Sequence, residues 1–265
     1  MQTKVEGILL SKAPFQDRHL MGHLLLRSGK EIPVCFYGGQ GGGAKKKSSQ
    51  LELGYMLKVE LNRSKSTSDT YSAKEWLPLW SHKNIRTNHK AFSLLCLYLE
   101  VLSKLSQSAD LHDEFQDYDD HSVGLFRVLS NAEVYLEKSL EEGNFDWSWH
   151  MAVFLAKLFV ETGIFPDISH CVISGLEINK GDPVHLDAQH GGFAKISELG
   201  VEDRQYSYGQ GGNQIRELLA LASKSKYSDM PTMPWDKAFT HPLFNYFCYQ
   251  YQFQMTDFKT FKMLF

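Results

Sequence analysis

"LELGYMLKVELNR", residues 51–63, decides what the N-terminal part of this chain can become. Leu53, Tyr55, Leu57, Val59 and Leu61 fall on one face, and Glu52, Lys58, Glu60 and Asn62 fall among those on the other. A period of two is the signature of a half-buried β-strand, because successive side chains point to opposite faces. One half-buried strand needs partners, and the flanking sequence supplies them.

"VEGILLSKA" (5–13), "HLMGHLLLRS" (19–28), "EIPVCFYGG" (31–39) and "TYSAKEWLP" (70–78) read as further strands, with "RSGKE" (27–31) a tight hairpin connection. Five short strands with a long basic loop after the third predict a small closed barrel. The OB-type barrel is the commonest five-stranded solution that binds oligonucleotides. After "WLPLW" (76–80) the period changes to that of helices. Helical spacing runs from about 84 to 106, then through Leu125, Leu129, Ala132, Leu136 and Leu140, then through Trp147, Met151, Phe154, Leu155, Leu158, Phe159 and Thr162. The last of these stops at Gly163, ahead of Pro166. Residues 169–200 are Gly-rich and irregular, with room for short strands. Ile215, Leu218, Leu219 and Ala222 mark a fourth helix, and "HPLFNYFCYQYQF" (241–253) a fifth that Pro242 starts. The expected class is α+β: an OB-fold nucleic-acid-binding domain over 1–80, and a mainly helical domain over 81–265 with an irregular segment near 169–200.

The 265 residues carry a net charge of −3, unevenly spread. Residues 1–80 hold 12 Lys+Arg against 7 Asp+Glu, and the rest is acidic. That asymmetry suggests a basic binding module on an acidic body. Cys35, Cys96, Cys171 and Cys248 stand singly, without disulfide or metal-knuckle spacing, which fits a reducing cytosol. The N-terminus lacks the apolar stretch of a signal peptide, and "AFSLLCLYLEVL" (91–102) is broken by Glu100 well short of a membrane span. A soluble cytoplasmic protein without a membrane partner is expected.

"GGQGGGAKKKSSQ" (38–50) raises a phosphate ligand, since glycines let a backbone approach an anion and lysines supply charge. It fails as a nucleotide-hydrolase loop. Gly38 and Gly43 have the right separation, but Ala44 stands where the lysine belongs, and the context is strand to strand. The alternative is a basic hairpin that tracks a nucleic-acid backbone. Lys45, Lys46 and Lys47 would do so with Lys12, Arg18, Arg27, Arg63, Lys65 and Lys74 from the same barrel, and Tyr37, beside the loop, would offer a face for base stacking. Phe36 and Tyr71 read more readily as core. His170, Cys171, His185, Asp187 and His190 gather in the irregular segment, but none shows a zinc spacing, so neither metal nor cofactor is expected. No Ser/His/Asp or Cys/His arrangement stands out, and the chain reads as a non-enzyme. A scaffold whose barrel binds protein in place of DNA is the other reading that the composition leaves open.

The order of parts resembles the RecO family of bacterial recombination mediators. The likeness is carried by "VEGILLSKAPFQDRHLMGHLLLRSGK" (5–30), the basic connection "YGGQGGGAKKKSS" (37–49), "FLAKLFVETGIFPDISHCVISG" (154–175) and "HGGFAKISELG" (190–200). Family members with a zinc knuckle carry two Cys-x-x-Cys pairs. Here Cys171 remains, while Ser174, Ala194 and Ser197 occupy the other places, so a four-cysteine site cannot form and the segment would have to hold by packing. The resemblance implies a nucleoid-associated mediator of DNA repair and recombination. Such a protein binds single- and double-stranded DNA, anneals strands and, with RecR, helps load RecA onto DNA coated with single-strand binding protein. It also implies a grip on the acidic C-terminal tail of that binding protein, for which Arg216, Lys157, Lys259 and Lys262 are the cations of the helical domain placed beside apolar residues.

Overall fold

The computed structural model describes residues 3–40, 48–62, 70–106, 124–201, 204 and 211–265. Five strands close into a barrel: β1 (Thr3–Phe15), β2 (His19–Leu26), β3 (Glu31–Phe36), β4 (Met56–Asn62) and β5 (Tyr71–Trp80), in the order β1-β2-β3-β5-β4. β4 returns to pair with β1 from Thr3↔Leu61 to Ile8↔Met56, which closes the ring. All pairs are antiparallel except β3 with β5. The alternation that identified β4 is realised in the packing: Leu57, Val59 and Leu61 are buried, and Lys58 and Asn62 are exposed. Val5, Leu9, Leu24, Ile32, Val34 and Phe36 fill the interior with them. Burying such side chains contributes about 1.5–3 kcal/mol each, enough to close a small barrel on itself.

Contacts divide the chain into two units, Met1–Glu141 with Leu264, and Glu142–Met263 with Phe265. Besides the barrel, the first holds α1 (His89–Leu105) and most of α2 (Leu125–Glu142). Asn88 caps α1, its side chain accepting from the Ala91 N–H at 3.1 Å. Glu137 on α2 holds the chain as it leaves the barrel, accepting the backbone N–H groups of Lys83, Asn84 and Ile85 at 2.7, 2.8 and 2.9 Å. Burial pushes this carboxyl up, but the three N–H donors outweigh it and hold the pKa below the usual range.

One turn away on the same helix, Glu133 is in the opposite state. It is buried, its Oε1 has no hydrogen-bond partner, and burial raises its pKa well above the ordinary value. Its Oε1 lies 2.9 Å from where a Cβ would stand on Gly54, a residue with φ of +77°. Only glycine suits both the conformation and the space there.

In the second unit α3 (Trp147–Thr162) is the central helix, packed by α4 (Gly212–Lys224) and α5 (Thr240–Gln250). Every residue from Ser148 to Ala156 is buried, as expected of a helix covered on all sides. Asp146 caps its start, and Gly163, with φ of +76°, ends it in the left-handed conformation. The segment after it forms a three-stranded sheet in the order β6-β8-β7 from β6 (Asp167–Cys171), β7 (Val184–Asp187) and β8 (Gly192–Lys195). Five α-helices and eight strands thus stand among the described residues. No helix among them is long and apolar enough to cross a membrane.

Candidate nucleic-acid interface

The last five residues of β1, Ser11 to Phe15, are all exposed; past Ile8, where the pairing with β4 ends, β1 continues against β2 as the finger of the barrel. Gln16 turns the chain with φ of +54°, and β2 returns at His19, directly opposite Phe15 in the ladder. Along β2 and β3, Leu20 pairs with Phe36, which faces the core and is 1% exposed. Alternation therefore sends the next residues, His19 and Tyr37, to the outside. Their rings meet edge to face, with centroids 4.7 Å apart at 73°. Phe15 is 38% exposed and Tyr37 55%. Three rings on three successive chain segments thus form one strip, and neither Phe15 nor His19 stood out in the sequence. The signal was the spacing of the hairpin, which needed a register before it meant anything.

The strip is fastened to the basic loop. His19 Nδ1 accepts the Gly38 N–H at 3.0 Å, the His19 carbonyl accepts from Gln40 Nε2 at 2.7 Å, and the Arg18 carbonyl accepts the Gln40 N–H at 3.2 Å. An acceptor at Nδ1 fixes the neutral imidazole as the Nε2–H tautomer. Arg18 is exposed in the turn of the finger. Lys45, Lys46 and Lys47, which follow this anchored stretch, lie outside the described residues, as do Arg63 and Lys65.

The remaining expected cations keep different company. Lys12 Nζ is 2.8 Å from Glu52 Oε2 and donates to the Leu51 carbonyl at 2.7 Å. Arg27 Nε reaches Glu6 at 2.9 Å, and its guanidinium lies 5.4 Å from the Phe126 ring centroid. Lys74 reaches Glu60 at 3.1 Å. Glu6 and Glu60 each serve a second cation as well, Lys58 and Lys4. The finger pairs with β2 alone, and His19 at its base precedes Leu20, the partner of Phe36 at the end of β3. Leu26, at the end of β2 and just before Arg27, lies opposite Gly7, which also pairs with Leu57 near the start of β4, whereas Phe36 at the end of β3 pairs with Ala73, itself paired with Leu61 near the end of β4. Lys12 and Arg18 belong to the β1–β2 finger and Tyr37 follows β3 beside it, while Arg27 follows the far end of β2. Phe36 belongs to the core, edge-on to Trp76 at 5.3 Å, and Tyr71 packs against that core.

In the second unit the expected tail-binding cations make internal bonds. Lys157 Nζ donates to the carbonyls of Ala222, at 2.6 Å, and Ser225, at the C-terminus of α4, and it lies over the Tyr227 ring. Burial depresses its pKa. Arg216 donates through Nε to the Ile168 carbonyl at 2.6 Å, through Nη2 to that of Ile178 at 2.9 Å and through Nη1 to that of Asn179 at 3.4 Å. Its stem lines a cavity of about 330 Å³ with Lys180, Asn213 and Glu217. Lys259 and Lys262 are exposed in the C-terminal turns.

Cys171 ends β6 in a tight turn, where Gly175 N–H donates to the Cys171 carbonyl and Cys171 N–H to that of Leu176, both at 2.8 Å. Burial raises the thiol pKa, but the Ser174 hydroxyl and the N–H groups of Lys195, Ser174 and Ile173 outweigh it and lower the value overall. Ala194 is buried in β8, and Ser197 lies in the following 3-10 turn. His190 Nδ1 is 2.8 Å from Asp187 Oδ2, and His170 Nδ1 3.4 Å from Asp167 Oδ2. Among the described residues no three His, Cys, Asp or Glu side chains are gathered as metal ligands. Cys171, Val184, Leu186, Phe193 and Ile196 form the buried face of the sheet.

Compared with known proteins, the chain matches no protein-family model and no curated protein sequence.

Proposed function

We propose that the barrel is of the OB type and that the protein binds DNA through it without sequence specificity, as a non-enzymatic mediator of DNA repair and recombination. The observation that carries this reading is the finger end of the barrel, where exposed Arg18, an outward strip of rings and the anchored mouth of a three-lysine loop occur together. Lysines that contact phosphates give affinity without reading bases, and rings supply stacking that tolerates any base. The strand order, with one parallel pair between β3 and β5, agrees with a five-stranded Greek-key barrel of that type.

The wider role is proposed on the resemblance to RecO. In it the protein binds single and double strands, anneals them and acts with RecR to load RecA on DNA coated with single-strand binding protein, near the nucleoid. Of the cations proposed to hold that protein's acidic tail, Lys259 and Lys262 are exposed, and Arg216 borders a cavity.

A second reading, a protein-binding scaffold, is favoured by the ion pairs of Lys12, Arg27 and Lys74, which leave those cations with carboxylates in place of phosphates. Titrating labelled single-stranded DNA against salt separates the two. A DNA binder gives a log K that falls linearly with log [salt], with a slope of about −0.7 per phosphate contact. Absence of binding at low salt leaves the scaffold.

A further inference from the structure

We infer that the strip formed by Phe15, His19 and Tyr37 is a platform for unpaired bases, so that the finger end of the barrel distinguishes single strands from duplex. This rests on the proposed DNA binding and adds to it where the discrimination resides. Phe15 and Tyr37 are large apolar rings left 38% and 55% exposed beside a core that buries Phe36 almost completely. They do not stand as isolated surface residues. Phe15 faces His19 across the β1–β2 ladder, and His19 meets Tyr37 edge to face at 4.7 Å. Neighbouring strands are about 4.8 Å apart, so the three rings span roughly 10 Å, room for two stacked bases at about 3.4 Å each beside a splayed backbone.

His19 is the positioning residue. Its Nδ1 holds the Gly38 N–H at 3.0 Å and its carbonyl holds Gln40 Nε2, so the ring that abuts Tyr37 is fixed from both sides of its own residue. The same bonds hold Gly38 and Gln40 against the base of the finger. In a duplex the bases are already stacked on one another, and only the phosphates remain to be bound. Duplex binding therefore leaves the rings unused, whereas single-strand binding engages them.

The test uses the full chain, a labelled oligothymidylate and a blunt duplex of equal phosphate count, with binding followed by fluorescence anisotropy over a range of salt. Tyr37→Ala and Phe15→Ala are each expected to weaken single-strand binding about tenfold while duplex affinity and the salt slope stay within about twofold and unchanged respectively. Tyr37→Phe and Phe15→Tyr keep a ring and are expected to keep the affinity. His19→Ala should reproduce part of the single-strand loss, and His19→Gln, which can still accept from Gly38, should restore some of it. Single-strand affinity untouched by both alanine variants, or equal losses on single strand and duplex, overturns the platform while leaving DNA binding in place. A wild-type chain that binds neither DNA overturns the platform and the proposed function together.

Discussion

The finger end of the barrel and the wall around β1, β4 and β5 are built from the same strands, and both carry cations, yet the charges are disposed in opposite ways. On the wall, Glu6 stands between Arg27 and Lys58, and Glu60 between Lys74 and Lys4, so each carboxylate is shared by two cations and every one of the four faces a carboxylate. At the finger, Arg18 is exposed, and the nearby polar bonds run from backbone and amide groups to His19 and to the Arg18 carbonyl. A count of lysines and arginines treats the two regions alike. What distinguishes them is the acceptor each cation faces, which only the register of the strands reveals. The second unit makes the same point with Lys157 and Arg216, whose donors face carbonyls.

The comparison breaks most readily at the loop. Replacing Lys45, Lys46 and Lys47 together by Ala should weaken single-strand binding about a hundredfold near 0.1 M salt and flatten the slope of log K against log [salt] by about 0.7 per lost contact. The loss should be similar for every DNA sequence, because phosphate contacts carry no sequence information. An unchanged slope would transfer the affinity to some other part of the chain and remove the distinction between finger and wall.

The next effect is on stability. If Arg216 acts chiefly by tying the carbonyls of Ile168 and Ile178 to α4, Arg216→Met should destabilise the second unit by about 2 kcal/mol, since hydrogen bonds to charged groups contribute about 1.5–3 kcal/mol and the carbonyls would be left without this donor. Thermal unfolding of the variant checks this. DNA affinity should not move. A variant with native stability and a weakened hold on an acidic peptide would instead make Arg216 a ligand of the neighbouring cavity.

Much of this fold was legible because its elements are strongly periodic. The alternation of Leu57, Val59 and Leu61 gave β4, and Gly163 with Pro166 beyond it gave the end of α3, since both signals are local and survive any tertiary arrangement. The candidate site was legible only in part. Tyr37 could be chosen because it abuts the lysines, but Phe15 and His19 become neighbours through the pairing of β1, β2 and β3. Glu133 was illegible for the same reason. In sequence it is a polar residue on an amphipathic helix, and only the structure brings its carboxyl against Gly54 and leaves it buried.

That buried acid gives a third test, of a carboxyl whose Oε1 has no hydrogen-bond partner. A carboxyl whose folded pKa is raised binds its proton more tightly when folded, so the folded state loses stability as pH rises above the unfolded pKa and until the folded pKa is passed. Glu133→Gln removes this term. Its stability relative to wild type should rise with pH by up to about 1.4 kcal/mol per unit above the ordinary carboxylate range and then level off, with little difference near pH 4. Urea melts at several pH values measure it. A constant difference across pH would mean that Glu133 finds a cation or a donor and is not held as the neutral acid.

The smallest expected effect is the sharpest test of the wall. Arg27→Ala and Lys74→Ala should each change DNA affinity by less than about twofold, because each cation already faces a carboxylate, and exposed pairs of this kind contribute only about 0.2–1 kcal/mol. If phosphates competed successfully for these cations, the ion pairs would open on binding and the variants would lose affinity together with salt dependence. The reverse substitution extends the argument. Glu60→Gln leaves Lys74 and Lys4 without their shared carboxylate and makes the patch more basic. Its affinity for duplex should then rise, by an amount that vanishes at high salt, while single-strand preference falls, since the new contacts reach phosphates but no ring. An affinity indifferent to Glu60→Gln would place the wall outside the DNA path altogether and confine binding to the finger end.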